Sequence, residues 1–339
     1  MTSRRGLGGF GWIIGGAAAG IAIGTLASRT SPWPAAMLIR AVFDKGAADT
    51  LAEFARHPPI GEVDERRDIQ YSDGSAGLNT TLDVYRSAGA TGASPAVVWI
   101  HGGAWISGAK EDVRPYLRIL AAEGYTTIAP NYTIAPEATY PTAIRQLGQA
   151  LHYIRDHADE LGVDPTRIVL AGDSAGAQLA SQLGVLMTNP EYAALIGMEP
   201  ALGPRQLVGV ILQCGVYDLG RMANLTGIAA WGFKTALWAY TGTRNWSASY
   251  QGSTMSTIDF VTSGFPPVYI SGGNGDGLTW IESIPMAQAL QRAGVDTTTR
   301  FYAADHEPAL PHEYQFHLDY AEARVSLQDT LTFLEKVTR

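Results

Sequence analysis

Eight short apolar runs constrain the fold of this chain more than any other feature of its sequence. They read RDIQYSD, TTLDVYRS, AVVWIHGG, TTIAPNY, RIVLAGDS, VGVILQCGVYD, PPVYISGG and TTTRFYAAD. The later runs are nearly continuous apolar stretches, as strands covered on both faces should be. Helical patterns separate most of the runs, but none lies between the first two. The sequence therefore predicts an α/β fold with a mostly parallel eight-stranded sheet that starts antiparallel and is flanked by helices.

Composition excludes several classes of partner and cofactor. The 339 residues are 46% hydrophobic and 17% charged, which is enough apolar material for a large core. The net charge is −8 and no basic run is present, so no nucleic-acid partner is expected. The single cysteine, Cys214, excludes an intrachain disulfide, and its apolar surroundings favour a buried structural thiol. The seven histidines are scattered, so no metal is predicted.

The N-terminal residues 6–28 carry no charge and follow Arg4 and Arg5. As a helix this segment extends roughly 34 Å, against a hydrocarbon core of about 30 Å. The pattern predicts that residues 1–28 are a membrane-anchor or signal segment, with a retained anchor favoured over a cleaved signal peptide and a buried helix of the fold as the remaining alternative. Either way, the main domain lies outside the cytoplasm, membrane-anchored or secreted, since the arginines hold the N-terminus inside.

Three further segments follow. Residues 29–67 combine prolines with short helical patterns and are predicted to be a linker and pre-domain segment. Residues 68–339 form the main domain. Within it, residues 219–262 contain three tryptophans but no good strand, and so long an interruption predicts a helical lid, with a structural insertion as the alternative.

The stretch IVLAGDSAGAQLA, residues 168–180, places Ser174 in the pattern G-x-S-x-G between a strand and a helix. A serine nucleophile must stand clear of the backbone at the end of its strand. The sharp turn that achieves this requires small flanking residues, which Gly172 and Gly176 provide. The turn also aims the helix N-terminus, with its unpaired N–H groups, at a developing anion.

A serine hydroxyl needs a base, most often histidine. His306 follows the last strand in a loop at the edge of the sheet where reacting groups collect, and it is predicted to be that base. His312, behind two prolines, is the alternative.

The imidazole needs a carboxylate to hold its tautomer. Asp276 ends the penultimate strand in a glycine-rich loop and is the predicted acid. Asp218 is the alternative, and Asp305 is less suitable because it would have to double back toward its neighbour His306.

The glycines after the third strand predict an oxyanion hole, a set of backbone N–H donors for the anionic oxygen of the tetrahedral intermediate. The candidate donors are Gly102, Gly103, Ala104 and Ala175. Trp105, Trp231 and Trp238 are predicted to shape an apolar substrate pocket.

Three stretches resemble the α/β-hydrolase superfamily and, within it, the hormone-sensitive-lipase-like bacterial carboxylesterases: HGGAW at 101–105, GDSAG at 172–176 and NYTIAPEATYP at 131–141. The resemblance covers roughly residues 68–339 and implies an esterase that uses Ser174, Asp276 and His306. The family's HGGG motif has Ala104 in its third glycine position here, and Gly277 replaces the proline that usually follows the acid.

The resulting hypothesis is a serine carboxylic ester hydrolase that acts on short- to medium-chain acyl esters through a covalent acyl-enzyme. Its partners are then a small-molecule ester and, through the N-terminal segment, a membrane. No cofactor is needed. An amidase or formamidase on the same residues is the alternative enzyme, and a non-catalytic binding protein of the same fold is the third reading.

Overall fold

A single eight-stranded sheet lies at the centre of the computed structural model, which describes residues 30–72, 79–203 and 205–339. Its spatial order is β1-β2-β4-β3-β5-β6-β7-β8. The strands are β1 Val63–Gln70, β2 Thr81–Ser87, β3 Ser94–Ile100, β4 Thr126–Pro130, β5 Val163–Asp173, β6 Leu207–Gln213, β7 Val268–Gly272 and β8 Thr297–Phe301. β2 is antiparallel to both β1 and β4, and all other neighbours are parallel. The predicted antiparallel start of a mostly parallel sheet is confirmed.

Helices flank this sheet. They are α1 Trp33–Phe54, α2 Lys110–Ala122, α3 Thr142–Asp156, α4 Ala158–Leu161, α5 Ala175–Thr188, α6 Pro190–Ile196, α7 Leu219–Met222, α8 Gly227–Thr241, α9 Tyr250–Met255, α10 Ile284–Arg292 and α11 Ala321–Thr338. A π-helical turn, Thr279–Ser283, precedes α10.

Buried side chains form two clusters, one on each face of the sheet. In β3, Ala96, Val98 and Ile100 belong to one cluster, whereas Val97 and Trp99 belong to the other. Successive side chains of a strand point to opposite faces, so the two clusters lie on opposite sides. This double burial accounts for the continuous apolar sequence of the central strands.

The predicted linker 29–67 contains the 22-residue helix α1 and the beginning of β1. A proline in the first helical turn is tolerated because that turn has no intrahelical acceptor for its N–H groups, so the prolines here begin a helix. Arg40 of α1 donates through Nη2 to the carbonyl of Ala135 (2.8 Å), and Asp44 accepts from the Ser107 hydroxyl (2.7 Å). These bonds fasten α1 to the loop that follows β4, which contains Ala135, and to the loop that follows β3, which contains Ser107.

The segment 219–262 folds into α7, α8, α9 and two 3₁₀ turns, Trp246–Ala248 and Thr257–Asp259. The helical insertion is thus present, and α8 packs against α1. The predicted N-terminal apolar helix, residues 6–28, lies outside the described residues. Within the described ranges, no helix combines the length and the apolar character needed to cross a membrane.

Candidate active site

The junction between β5 and α5 holds Ser174 in a sharp turn. Its backbone has φ 51° and ψ −119°, a conformation that costs free energy in a residue with a side chain and is typical of functional sites. A Cβ on Gly172 would lie 2.4 Å from the carbonyl carbon of Gly176, and one on Gly176 would lie 2.0 Å from the Ile100 carbonyl oxygen. Gly172 is therefore required for the close approach of β5 to the start of α5, and Gly176 for the close approach of α5 to β3.

His312 lies between Ser174 and Asp276. Its Nε2 is 2.9 Å from the Ser174 Oγ, and its Nδ1 is 2.7 Å from the Asp276 Oδ2. Because a carboxylate can only accept, Nδ1 carries the proton, and Nε2 is left to accept from the serine hydroxyl. The two bonds form one continuous chain from hydroxyl to imidazole to carboxylate.

The prediction of His306 as the base is wrong. Nε2 of His306 lies 2.9 Å from Glu322 Oε1 near the start of α11, so its imidazole is held by a different carboxylate. The backbone continues past His306 and brings His312, the alternative, to the serine. The two prolines that precede His312 do not keep this histidine away from Ser174. The connection that contains them folds back over the edge of the sheet.

Asp276 holds the imidazole with one carboxylate oxygen while the other, Oδ1, accepts from the Leu278 amide (2.9 Å). The carboxylate is thereby fixed in orientation. Asp218, the alternative acid, instead caps α7 and pairs with Arg221. Asp276 is therefore the carboxylate that the structure brings to the imidazole.

The pKa of His312 is raised well above its ordinary value. Burial acts in the opposite direction, but the neighbouring Cys214 and the hydrogen-bonded Asp276 carboxylate outweigh it. The imidazole is therefore a stronger base than a free histidine.

Asn274 clamps the loop that carries His312. Its side-chain nitrogen donates to the His306 carbonyl (2.8 Å), and its side-chain oxygen accepts from the Leu310 amide (2.9 Å). A Cβ on Gly273 would lie 2.4 Å from the Leu310 carbonyl oxygen, so the two loops pack too closely for any side chain there. This pairing of loops, which sequence patterns do not show, sets the position of His312.

The predicted oxyanion donors divide into two groups. Gly102 does not fit its prediction, because its amide donates to Oδ2 of the buried Asp173 (2.8 Å) and its carbonyl accepts from Nδ1 of His101 (2.9 Å). For the amides of Gly103 and Ala104, the described residues provide no acceptor. Ala175, the first residue of α5, also has no partner within its helix. These three amides remain candidates for the oxyanion hole.

His101 supports the glycine loop and takes no part in proton transfer. Burial lowers its pKa to about 4, so its ring is neutral. The ring stacks on Tyr132, with centroids 4.4 Å apart, and the Tyr132 hydroxyl donates to the His101 carbonyl (3.0 Å). The segment 131–141 thus holds the HGGAW loop in place.

The three predicted pocket tryptophans lie in different environments. Trp105 is buried, donates to Gln178 Oε1 (3.1 Å) and stacks on Tyr240 of α8 at a centroid distance of 5.5 Å. Trp238 is partly buried beneath the guanidinium of Arg244. Trp231 is 49% exposed, which does not fit a pocket-lining role. Of the three tryptophans, Trp105 is thus the one that packs directly on the helix that follows Ser174, through its bond to Gln178.

Among the residues that the structure describes, two groups of side chains offer potential cation ligands within 4.8 Å of one another. Cys214, His312 and Glu313 form one, but both ring nitrogens of His312 are already engaged. Glu53, His57 and Asp319 form the other, in which His57 Nε2 bonds Asp319 Oδ1 at 2.7 Å. The chemistry available at Ser174 requires neither group to hold a metal.

The sheet order and the turn at Ser174 define this chain as an α/β-hydrolase of the hormone-sensitive-lipase-like type. It belongs to the BD-FAE family, whose model matches residues 82–290.

Individual relatives agree with this assignment. Esterase LipC of Mycobacterium tuberculosis is 33% identical over 156 residues, 45% of this chain and 37% of LipC. The chain thus spans little more than a third of the length of that relative. An esterase of Gibberella moniliformis is 26% identical over 266 residues, 74% of this chain and 78% of the relative. The solved structure of Esterase B from Lactobacillus Rhamnosis has a TM-score of 0.77 at 23% identity, covering 89% of this chain and 94% of that one, and it supports the fold.

Proposed function

We propose that this chain is a serine carboxylic ester hydrolase that works through a covalent acyl-enzyme. The observation that carries the proposal is the chain of two hydrogen bonds through His312, at 2.9 Å to Ser174 and 2.7 Å to Asp276. The names of the esterase relatives support the choice of esters as the substrate class.

In the first step, Ser174 Oγ attacks the acyl carbon while Nε2 of His312 takes the hydroxyl proton. The carbonyl oxygen becomes anionic, and amides drawn from Gly103, Ala104 and Ala175 donate to it. Collapse of the intermediate breaks the bond to the alkoxy oxygen, which receives the proton from Nε2. The alcohol leaves, and the acyl group stays on Ser174.

In the second step, Nε2 of His312 takes a proton from water, whose oxygen attacks the acyl carbon. Collapse of this second intermediate returns the proton to Ser174 Oγ and releases the carboxylic acid. Asp276 remains ionised throughout and stabilises the imidazolium that forms in each step. No cofactor takes part.

The substrate class that we propose is esters of short to medium acyl chains. The apolar stacked pair Trp105 and Tyr240 supports this proposal, because Trp105 is hydrogen-bonded to Gln178 of α5, one turn after the nucleophile. We also propose that α8, which carries Tyr240, covers the bound acyl group as part of a lid.

We propose that residues 6–28 anchor the chain to a membrane or direct its export, with the main domain outside the cytoplasm. The support is the uncharged length of this segment behind two arginines. Cell fractionation and sequencing of the mature N-terminus test this, and a full-length chain in the cytosolic fraction would contradict it.

The activity is tested with p-nitrophenyl esters of increasing acyl length, compared between wild type and Ser174→Ala. We expect the wild type to hydrolyse the short and medium esters and to be labelled by a fluorophosphonate, with both properties lost in the variant. Faster turnover of a matched aryl formamide or anilide would favour an amidase. Absence of labelling in the wild type would favour a non-catalytic binding protein.

A further inference from the structure

Glu313 places a carboxylate beside the reacting atoms. Its Oε1 lies 3.8 Å from Nε2 of His312, the nitrogen that also contacts Ser174. About a third of its side chain is exposed, whereas Ser174 is 5% exposed. The residue has φ 58°, a left-handed conformation that is uncommon for a residue with a side chain. The carboxylate is thus held close to the site and remains open to solvent.

The leaving alcohol must pass through this region. In ester cleavage, Nε2 of the histidine gives its proton to the alkoxy oxygen, so that oxygen lies within hydrogen-bond distance of Nε2. A carboxylate oxygen 3.8 Å from the same nitrogen therefore lies close to the position that the first atoms of the alcohol would occupy.

The charged groups around Glu313 are mostly acidic. Asp173 lies beneath it, and burial together with the Glu313 carboxylate raises the pKa of Asp173 well above its usual range. Asp112 at the start of α2 and Asp44 of α1 interact electrostatically in the same area. The nearby cation Arg40 is bound to Glu137 at 2.7 Å. Because burial favours the neutral form of Asp173, the partly exposed Glu313 is the carboxylate that presents negative charge to the reacting atoms.

We propose that Glu313 is a specificity-determining residue that favours esters whose alcohol carries a positive charge near the scissile bond. The inference rests on the proposed ester hydrolysis. It specifies which alcohol part of the ester the site prefers.

The test compares acetylthiocholine with its neutral isostere 3,3-dimethylbutyl thioacetate, which has nearly the same shape and the same acyl group. We expect the wild type to prefer the cationic substrate in kcat/KM. In Glu313→Gln, the ratio of the two kcat/KM values should fall about tenfold, equivalent to about 1.4 kcal/mol. Adding 1 M salt should reduce the wild-type preference, because exposed charges are then screened within about 3 Å.

Glu199→Gln is the matched control, because it removes one exposed carboxylate from the loop after α6. Its substrate ratio should equal that of the wild type. An unchanged ratio in Glu313→Gln would overturn the inference while leaving ester hydrolysis intact. No hydrolysis of either substrate, together with no fluorophosphonate label on Ser174, would overturn the proposed function itself and this inference with it.

Discussion

Nε2 of His312 lies 2.9 Å from the hydroxyl oxygen of Ser174, although 138 positions separate the two residues in the chain. The sheet brings β5 and the loop after β8 to the same edge, and the glycine-rich loop after β7 completes the arrangement.

Replacement of the two candidate histidines should have very different effects. His312→Ala removes the base, and we expect kcat/KM for p-nitrophenyl acetate to fall by about 10³-fold or more. His306→Gln loses only a partly exposed ion pair with Glu322, worth up to about 1 kcal/mol, so its activity should remain close to wild type. Equal losses in the two variants would contradict the assignment of His312.

Asp276→Asn tests the orientation of the imidazole. The amide cannot stabilise the imidazolium and permits the wrong tautomer, so we expect kcat to fall by about 10³- to 10⁴-fold. Fluorophosphonate labelling should slow in parallel. Asp218→Asn is the matched control, because that carboxylate caps α7, and a comparable loss of kcat there would count against Asp276.

The pH dependence of the reaction should reflect the raised pKa of His312. The reaction needs the imidazole neutral at Nε2, so activity should rise as His312 loses its proton. Because the Cys214 and Asp276 contacts raise this pKa against the effect of burial, the midpoint of kcat/KM should lie above the ordinary value of about 6.5. A midpoint below 6.5, with the fold intact by circular dichroism, would contradict this.

Glu282 should make stability depend on pH in a predictable direction. It lies in the π-helical turn, and burial raises its pKa to about 8, although the amides of Tyr217 and Asp218 donate to it. The unfolded chain loses this proton near pH 4.5, whereas the folded protein keeps it up to about 8. This contribution to stability is therefore fully present below pH 4.5 and is lost as pH rises through about 8.

Glu282→Gln removes that proton equilibrium and keeps an acceptor oxygen. We expect the Tm of the variant, relative to wild type, to be higher at pH 8.5 than at pH 5, as measured by thermal denaturation at both values. An equal difference in Tm at the two pH values would show that the carboxyl group is not buried as described.

Asn274→Ala should loosen the loop that carries His312. The variant loses two hydrogen bonds, to the His306 carbonyl and from the Leu310 amide, each worth about 1 kcal/mol. We expect a lower Tm and a lower kcat, with KM less affected. Asn189→Ala, which removes a helix cap far from His312 along the chain, is the control for stability loss alone, and an equal fall in kcat there would argue against a positioning role for Asn274.

The sequence was informative where local pattern and chemistry coincide. Ser174 and Asp276 each follow an apolar strand in a glycine-rich turn, and the parallel sheet carries both to one edge. His312 could not be found this way, because its position depends on hydrogen bonds from Asn274 and on the close approach of Gly273 to Leu310. The glycines on both sides of Asn274 were the available signal, since they indicate a close backbone neighbour.

Gly102 illustrates a second limit. The HGGAW motif predicts that the Gly102 amide points toward the oxyanion of the substrate. In the structure this amide instead donates to the carboxylate of Asp173, which lies inside the GDSAG motif. The second residues of the two motifs, Gly102 and Asp173, are thus bonded to each other, a relationship that neither motif reveals alone. Likewise, the sequence of residues 29–67 predicts a linker and pre-domain segment and does not show how α1 packs, because its contacts are with residues distant in the chain.

Helix α1 is hydrogen-bonded to the loop that carries two of the candidate oxyanion-hole amides. Its Arg40 donates through Nε to the Ile106 carbonyl (2.5 Å), and its Asp44 accepts from the Ser107 hydroxyl, both just after Gly103 and Ala104. A displacement of α1 would therefore be transmitted to the backbone N–H groups that are proposed to bind the oxyanion.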